Sequence, residues 1–451
     1  MKISPARTAA FDVLISIERD RAHSSSLLSE FEDKLSDKDK ALCHEIVLGV
    51  LRKKLYLDEI IRAAGGERKL DLEVSTALRI GLFQIYLLDR VPDHSAVTES
   101  VDLVQRARKT SAKGFVNAVL RRTVRENIQP SYKDNIDRVA ISTSHPRWLI
   151  ERWADEFDFE EAERIAVANN DRPRTSLRHT AKGIKAGRPV PAGAAASSLV
   201  HGCYFIDKIT TDIRELVDEG YLYVQDEASQ LVASLLEIPR GGRFLDVCAA
   251  PGGKTGAIGA RFEESVGLLI AGDMNGPRAE FLKENCIRQG LLSIKVVRFD
   301  AESGLPFGPE TFDSILVDAP CSGTGTIRNN PEIRYSLKPE DLTRLKKKQL
   351  AILESASKSL KVGGTIVYST CSIEKDENED VVREFLALRS EFIVSKPKLP
   401  EVFVTKDGFV RTLTYRDNMD GFFAAVLERG LRLAAKNEKV IRKGYAKERK
   451  C

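Results

Sequence analysis

The sequence has no long apolar run and no recognisable export signal. None of its segments reaches the roughly 18 consecutive apolar residues that a membrane-spanning helix needs. The N-terminal stretch also lacks the basic start and unbroken apolar core of a secretory leader. We therefore expect a cytoplasmic protein with no membrane partner.

Paired metal-binding cysteines are missing as well. The seven cysteines include no Cys-x-x-Cys pair, and their odd number argues against a disulfide framework. We expect each cysteine to be a free thiol and no metal to be bound. All six histidines precede the C-terminal half, at positions 23, 44, 94, 145, 179 and 201. A histidine base is therefore excluded from an active site built from that half alone.

Two common phosphate-binding signatures are absent. No segment matches the Walker pattern G-x-x-x-x-G-K-[ST], and the first glycine-rich turn of the C-terminal half lacks the G-x-G-x-x-G fingerprint. Nucleotide hydrolysis and hydride transfer are disfavoured for this reason, and we expect no bound nucleotide other than a methyl donor.

What is present describes an ordinary globular protein of several domains. Hydrophobic residues make up 42% and charged residues 30% of 451 residues, a length at which two or three domains are expected. Apolar residues recur at helical spacing up to about residue 130, which predicts an all-α domain over 1–135. A mixed α+β connecting subdomain is predicted over 140–235, an α/β domain over 236–428, and a basic C-terminal tail over 429–451.

The C-terminal half alternates short apolar runs with helical patterns. The runs are RFLDV, LLIAGD, IKVVRFD, FDSILVDAP and GGTIVYSTCS, and most of them end in an acid or a cysteine. This alternation is typical of a doubly wound, mainly parallel sheet, which binds ligands at the carboxyl ends of its strands. The overall prediction is therefore a multidomain protein, all-α and then α/β Rossmann-like.

A cofactor site is predicted at the first strand of this sheet. Residues 244–255, FLDVCAAPGGKT, form a strand, a glycine-rich turn and a helix start, whose amide groups suit a carboxylate such as that of methionine. Three acids, Asp246, Asp273 and Asp300, then follow at equal spacing at successive strand ends. Asp246 could reach a methionine amino group, Asp273 both ribose hydroxyls, and Asp300 an adenine amine. The alternative for each acid is a loop cap.

Two cysteines end later strands of the same sheet, in DAPCSGTGT and in YSTCS. Adjacent strands would bring Cys321 and Cys371 together, whereas Cys43, Cys203 and Cys286 fit buried apolar positions. Methylating carbon 5 of a cytosine first requires a nucleophile added at carbon 6, for which a thiolate is suited. Asp318 is placed to stabilise the adduct as an acid at ring N3, and the second cysteine, or water held by Asp318, could serve release.

These motifs resemble those of the RsmB/Sun family of RNA 5-methylcytosine methyltransferases. The matching segments are DxCAAPGGKT, DAPCSGTG and TCS, followed by RNNPEIR, EKDENED and DGFFAAVL, so the likeness spans the catalytic half. It implies S-adenosylmethionine as cofactor and a class I methyltransferase domain over 236–428. It also implies Cys371 as the nucleophile and Cys321 as an aid to product release.

The resemblance further implies which residues hold the cofactor and the target. Lys254 could also face the target nucleotide. The implied cofactor site comprises Cys248, Ala249, Ala250, Pro251, Gly252, Gly253, Lys254, Asp273, Asp300 and Asp318.

Upstream segments are similar to the NusB-type helical RNA-binding domain of bacterial RsmB-like enzymes. They are IGLFQIYLLDRVPDHSAVTESVDLVQ and KGFVNAVLRR, within 1–135. This similarity implies 16S ribosomal RNA as the partner, with 140–235 as a connecting RNA-binding subdomain and no obligate protein partner. The acid-free basic stretch 106–125 would then contact phosphates, and a solvated helix face is its alternative.

Three other functions stay open on the sequence alone. The same chemistry could act on transfer RNA or another RNA, because the catalytic motifs are shared. A DNA cytosine methyltransferase would use the Pro-Cys thiol, Cys321, as its nucleophile. A non-enzymatic assembly factor is disfavoured, because Cys371 and the glycine-rich turn are both intact.

Overall fold

The computed structural model describes residues 3–20, 23–32, 34–262, 265 and 267–430. The predicted basic tail therefore lies outside the described residues from position 431 onward. The chain divides into two compact units. The first comprises Met1–Arg172 with Thr326–Pro339, and the second comprises Pro173–Gly325 with the chain from Glu340 onward.

The first unit is helical, as the apolar spacing predicts. Its core contains Leu78 and Leu82, which are fully buried one helical turn apart on the helix Leu72–Leu87. Its α-helices are α1 (Pro5–Asp20), α2 (Ser24–Glu32), α3 (Asp37–Arg52), α4 (Lys54–Gly65), α5 (Leu72–Leu87), α6 (Asp93–Arg106), α7 (Lys113–Glu126), α8 (Asn135–Thr143), α9 (Arg147–Glu156), α10 (Phe159–Ala168) and, from the later segment, α16 (Ile333–Ser336).

The segment Thr326–Pro339 is built into this helical unit, although its RNNPEIR motif reads as part of the catalytic half. Glu332 accepts hydrogen bonds from the backbone amide and the hydroxyl of Ser24 at 2.9 and 3.0 Å and so caps α2. The buried guanidinium of Arg334 donates to the carbonyl oxygens of Thr143 and Asn169 at 2.9 and 3.2 Å. The first unit therefore needs residues from two distant parts of the chain.

The second unit begins with a small antiparallel sheet of order β2-β3-β1-β4. The predicted connecting subdomain begins at residue 140, whereas the compact units divide after Arg172 because α8, α9 and α10 group with the first unit. The elements are β1 (Thr175–His179), α11 (Ala181–Lys185), β2 (Ala195–Ala196), β3 (Cys203–Ile206), α12 (Thr211–Asp218), β4 (Leu222–Val224) and α13 (Glu227–Ser234).

A larger sheet of order β10-β12-β9-β8-β5-β6-β7 follows, with β11 paired to β12. The strands from β9 to β7 in this order run parallel, whereas β12 and β10 are antiparallel. The strands are β5 (Arg243–Asp246), β6 (Leu268–Asp273), β7 (Lys295–Arg298), β8 (Phe312–Asp318), β9 (Leu360–Thr370), β10 (Phe392–Val394), β11 (Val410–Arg411) and β12 (Phe423–Arg429).

Helices accompany this sheet, and they are α14 (Gly253–Phe262), α15 (Gly276–Arg288), α17 (Pro339–Lys358), α18 (Glu379–Leu388) and α19 (Thr414–Asp417). Each of the five apolar runs singled out in the C-terminal half forms a strand, because a strand covered on both faces needs continuous apolar residues. The predicted fold class, helical and then α/β with a small α+β subdomain, is confirmed.

Candidate active site

Acids end three neighbouring parallel strands of the larger sheet. Asp246, Asp273 and Asp318 are the last residues of β5, β6 and β8, and Asp300 follows the end of β7 by two residues. Because these strands are parallel neighbours, the four acids share one edge of the sheet. The structure thus places all four predicted acids at the ligand-binding edge.

The glycine-rich turn lies at the same edge, between β5 and α14. Gly252 has a φ of +99°, and a Cβ added there would lie 3.0 Å from Leu282 and 3.1 Å from Cys286. Both the backbone conformation and the space therefore require glycine at this position. Gly253 begins α14, whose first amide groups have no partner within the helix.

The turn is held by its carbonyl oxygens. Four consecutive carbonyls accept hydrogen bonds from side chains elsewhere in the second unit. Arg278 donates to Ala250 at 3.0 Å, Asn285 to Pro251 at 2.7 Å, Gln289 to Gly252 at 3.4 Å and Arg178 to Gly253 at 2.9 Å. Arg278 and Asn285 lie on α15, and Gln289 follows its last residue directly. The carbonyls are thus occupied by protein, while the amide groups that begin α14 suit an anionic ligand.

The sequence pattern singles out none of these donors, and Arg178 is the one most distant from the turn along the chain. It lies on β1 of the small sheet, and its guanidinium donates also to Gln225 and Gln289, at 2.8 Å each. Within the described residues no carboxylate pairs with it, and burial lowers its pKa to about 10. A buried guanidinium bound only to neutral acceptors is costly, so its position at the turn indicates a role there. The sequence carries no local signal for this contact.

Asp246 is a buried carboxyl with one free oxygen. Its Oδ2 accepts from the Thr255 hydroxyl at 2.6 Å, whereas Oδ1 is buried without a hydrogen-bond partner. Burial raises the pKa of Asp246 to about 7, and the hydrogen bond from Thr255 opposes this rise. An unpaired buried acceptor beside the turn fits a ligand that donates hydrogen bonds, such as the ammonium of a methionine moiety.

Asp273 and Asp300 also cap their own loops. Asp273 is 8% exposed and accepts from the Asn275 amide at 2.8 Å. Asp300 accepts from the Ser303 hydroxyl at 2.6 Å and from the Glu302 amide at 3.0 Å, and these hydrogen bonds lower its pKa. The loop-capping alternative therefore describes real contacts of both acids, although each carboxylate has further lone pairs for a ligand.

The two candidate cysteines meet beside these acids. Cys321 follows β8 and Cys371 follows β9, and their Sγ atoms lie 3.1 Å apart as free thiols. The hydrogen bond to Cys371, together with burial, raises the pKa of Cys321 well above its ordinary value. Cys321 is thus held as a thiol beside Cys371. The predicted proximity of the two cysteines is what the parallel pairing of β8 and β9 produces.

Lys254 and Asp318 form an ion pair in the same region. The Lys254 ammonium donates to Asp318 Oδ2 at 2.8 Å, and the Ser369 hydroxyl donates to Oδ1 at 2.8 Å. Burial opposes the charge on Lys254, but the Asp318 carboxylate outweighs it and raises the pKa of Lys254. Both oxygens of Asp318 accept hydrogen bonds. Lys254 is therefore the member of this pair that can donate a hydrogen bond to a ligand.

Cys248 and Glu377 complete the picture of the site. Burial raises the pKa of Cys248, which keeps this residue of the turn a neutral thiol. Glu377 is fully buried behind the two cysteine loops and bonds to residues of both. Glu377 belongs to the EKDENED motif, but the sequence pattern assigns no role to its carboxylate.

The basic stretch 106–125 is largely paired within the first unit. Arg106 lies 2.7 Å from Asp12, and Lys109 lies 2.8 Å from Asp71. Arg122 and Arg125 both pair with Glu126. These acids come from outside the stretch, so the surface around it carries less positive charge than the local sequence indicates. Phosphate contact there stays a prediction.

Three parts of the chain match models of known protein families. The model of the 16S rRNA methyltransferase RsmB/F family matches residues 233–428, the NusB family model matches 4–125, and that of the RsmF/B-like ferredoxin-like domain matches 145–184. The probable ribosomal RNA small subunit methyltransferase B of Bacillus subtilis is 34% identical over 94% of this chain and 98% of its own length. The chain belongs to the RsmB/F methyltransferase family.

Further members and a solved structure agree with this RsmB/F assignment. Ribosomal RNA small subunit methyltransferase B of Pseudomonas putida is 34% identical over 84% of this chain and 88% of its own length. The crystal structure of PH0851 superposes with a TM-score of 0.81 at 26% identity, covering 95% of this chain and all of that one. Membership of this methyltransferase family confirms the predicted methyl donor, S-adenosylmethionine.

The described residues contain neither a membrane-spanning helix nor a metal-binding cluster. No helix there has both the length and the apolarity to cross a membrane. The same residues contain no group of three or more His, Cys, Asp or Glu side chains that could hold a metal ion.

Proposed function

We propose that this protein transfers a methyl group from S-adenosylmethionine to carbon 5 of a cytosine in 16S ribosomal RNA, through a covalent adduct on Cys371. The observation that carries the proposal is the pair of free thiols, 3.1 Å apart, at the edge where Asp318 and Lys254 are paired. Methylation at oxygen or nitrogen needs no thiol, whereas methylation at pyrimidine carbon 5 needs a nucleophile at carbon 6.

The reaction begins at Cys371. Its thiol gives its proton to water, and the thiolate forms a bond to carbon 6, so that the electron pair of the 5,6 double bond moves into the ring. The Lys254 ammonium can donate toward the electron-rich ring while Asp318 accepts from the exocyclic amine. The sequence predicts Asp318 as the acid at ring N3. Because both oxygens of Asp318 accept hydrogen bonds, we instead give that role to Lys254, held by Asp318. S-adenosylmethionine supplies the electrophilic methyl group that carbon 5 then takes.

Release reverses the addition. A base removes the proton from carbon 5, the 5,6 double bond re-forms, and the carbon–sulfur bond breaks with its electron pair returning to Cys371. Cys321, 3.1 Å from Cys371, serves this step after giving its own proton to water, or a water held by Asp318 serves it. Overall, one methyl group is transferred and one proton is released. Cys321 lies next to the sulfur that must leave, which is the place a release group requires.

The cofactor residues are proposed from the turn and the strand-end acids. The amides at the start of α14 suit the methionine carboxylate, and the free oxygen of Asp246 suits its ammonium. Asp273 would accept the ribose hydroxyls and Asp300 the adenine amine. The remaining turn residues, Cys248 to Gly253, would contact the cofactor through their backbone.

The relatives support 16S ribosomal RNA as the substrate. Those from Bacillus subtilis and Pseudomonas putida are named as small-subunit ribosomal RNA methyltransferases B, the former as a probable one, and they align with 94% and 84% of this chain. A match to the NusB family over residues 4–125 supports an RNA-binding role for the first unit. Cytoplasmic location follows from this substrate and stays a prediction.

The test uses purified protein and its Cys371→Ala and Cys321→Ala variants with labelled methyl donor and protein-free 16S ribosomal RNA. We expect Cys371→Ala to lose 5-methylcytosine formation and Cys321→Ala to accumulate RNA joined covalently to protein. Activity of Cys371→Ala would overturn the mechanism, and an adduct at Cys321 would indicate the DNA-type assignment. Labelling of transfer RNA but not of 16S ribosomal RNA would leave the chemistry and overturn the substrate.

A further inference from the structure

Each of the two cysteines is followed directly by a serine, and both serines bond to one carboxylate. Glu377 accepts hydrogen bonds from the Ser322 hydroxyl and from the Ser372 hydroxyl, the latter at 2.6 Å. The Ser322 amide also donates to Glu377, at 2.9 Å. A single side chain thus links the loop that carries Cys321 to the loop that carries Cys371.

Burying the carboxyl group of Glu377 costs free energy. It is fully buried, and within the described residues no cation forms an ion pair with it. Burial raises the pKa of Glu377, and its hydrogen bonds with Ser322, Ser372 and Gln349 oppose that rise. A buried carboxyl without a cation costs free energy that an apolar residue would not, so its four donors point to a specific role.

The environment of Glu377 is rigid. Gln349, fully buried on α17, donates from one nitrogen both to Glu377 at 2.8 Å and to the carbonyl of Pro320 at 3.0 Å. The Tyr368 hydroxyl donates to the backbone carbonyl of Glu377 at 2.6 Å. Glu377 is therefore fixed at its backbone and at its side chain, and both cysteine loops are fixed to it.

We propose that Glu377 is a positioning residue that sets the distance between the two thiols. It acts through Ser322 and Ser372, whereas no described contact joins it to Cys321 or Cys371 directly. The inference rests on the proposed two-cysteine mechanism. It takes Cys321, rather than a water held by Asp318, as the release group. Attack on carbon 6 then needs Cys371 alone, whereas release also needs Cys321 beside it. Loss of the carboxylate should therefore slow release more than attack.

The test compares Glu377→Gln with Glu379→Gln. Gln keeps the volume of Glu377 but replaces one acceptor oxygen by a donor. Each oxygen of Glu377 accepts two of its four hydrogen bonds, so two donors lose their acceptor. Glu379 lies two residues away and pairs with Arg411 at 2.6 Å, so its Gln variant loses a carboxylate of the same segment without touching either cysteine loop. Both variants are assayed as full-length protein with S-adenosylmethionine and 16S ribosomal RNA.

For Glu377→Gln we expect kcat to fall roughly 10- to 100-fold, the loss typical of a small displacement of reacting groups, with KM for RNA and the Kd for S-adenosylmethionine unchanged. We also expect covalent RNA–protein adduct to accumulate although both cysteines are present. Glu379→Gln should show neither effect. A merely structural role of Glu377 would lower Tm and activity together without accumulating adduct, and that result would overturn the proposal.

If Glu377→Gln fails to fold, Ser322→Ala and Ser372→Ala remove the linked donors one at a time. Each should accumulate adduct, and normal turnover by both would overturn the role of Glu377. The Cys321→Ala and Cys371→Ala variants run beside them separate the two hypotheses. If those behave as expected while Glu377→Gln behaves like Glu379→Gln, only the positioning role is wrong. If Cys321→Ala traps no adduct, release through Cys321 is itself wrong, and the positioning role falls with it.

Discussion

The guanidinium of Arg178 donates a hydrogen bond to the carbonyl oxygen of Gly253 at 2.9 Å. Arg178 belongs to the small antiparallel sheet and Gly253 begins the helix after the glycine-rich turn. This contact makes the cofactor turn dependent on the subdomain that precedes it. Tyr223, also from the small sheet, lies 4.9 Å from the guanidinium and completes its surroundings.

We expect Arg178→Met to weaken the binding of S-adenosylmethionine by about tenfold, equivalent to about 1.4 kcal/mol, because an unmade buried hydrogen bond costs that order of free energy. Isothermal titration measures the affinity. Arg188→Met is the matched control, because Arg188 stacks on Tyr221 at 4.2 Å in the same subdomain without contacting the turn. Equal affinity of the two variants would contradict the role of Arg178.

The affinity for S-adenosylmethionine should rise with pH around the pKa of Asp246, which burial raises to about 7. Below that pH the carboxyl is protonated and attracts an ammonium less. The folding stability of the cofactor-free protein has the opposite pH dependence. A raised carboxyl pKa contributes stability that is present below the ordinary pKa of 3.8 and is lost as pH rises through about 7. Calorimetric titration from pH 6 to 8 checks the affinity.

Thr255→Val supplies the control for this pH dependence. The hydrogen bond from Thr255 holds the pKa of Asp246 down, so its loss should move the midpoint of the affinity profile to higher pH. Asp246→Asn should make the profile flat. A midpoint that stays in place in Thr255→Val would show that another group titrates.

Lys254→Met should reduce methylation roughly 100-fold, because it removes the proposed donor to the ring and leaves Asp318 without its cation. Lys361→Met is the matched control. Lys361 pairs with Asp313 at 2.7 Å near the starts of strands β9 and β8, whereas Lys254 pairs with the last residue of β8. Single-turnover rates with saturating RNA distinguish the variants, and equal losses would contradict a catalytic role of Lys254.

Arg334→Met should destabilise the first unit by roughly 2–4 kcal/mol, because the carbonyl of Asn169 loses this donor and that of Thr143 is left with Asn170. Thermal unfolding followed by circular dichroism measures the loss. The control is Arg344→Met, which breaks an exposed ion pair with Asp341 and should change stability by less than about 1 kcal/mol. The affinity for S-adenosylmethionine should be equal in both, since neither arginine contacts the turn.

The sequence predicts the second unit's architecture and its strand-end residues well, for a local reason. Buried parallel strands are continuous apolar runs, and the residue that ends each run falls at the ligand-binding edge, as Asp273 and Asp318 do. The proximity of Cys321 and Cys371 follows from the same rule once their strands are neighbours.

Contacts between distant residues account for what sequence reasoning missed. Arg178 and Glu377 bond to backbone, amide and hydroxyl groups of other elements, and among the described residues neither forms an ion pair that a sequence pattern would reveal. The sequence around the basic stretch 106–125 likewise does not show Asp12 and Asp71, which lie beside it only in the folded unit.

The contribution of Thr326–Pro339 to the helical unit limits how this protein can be dissected. A fragment that stops at Arg172 would lack the cap that Glu332 gives to Ser24 and the donor that Arg334 gives to Thr143. Such a fragment would carry exposed carbonyls and a frayed helix. A faithful isolated helical unit must therefore be made with this peptide supplied, either joined by a linker or added in trans.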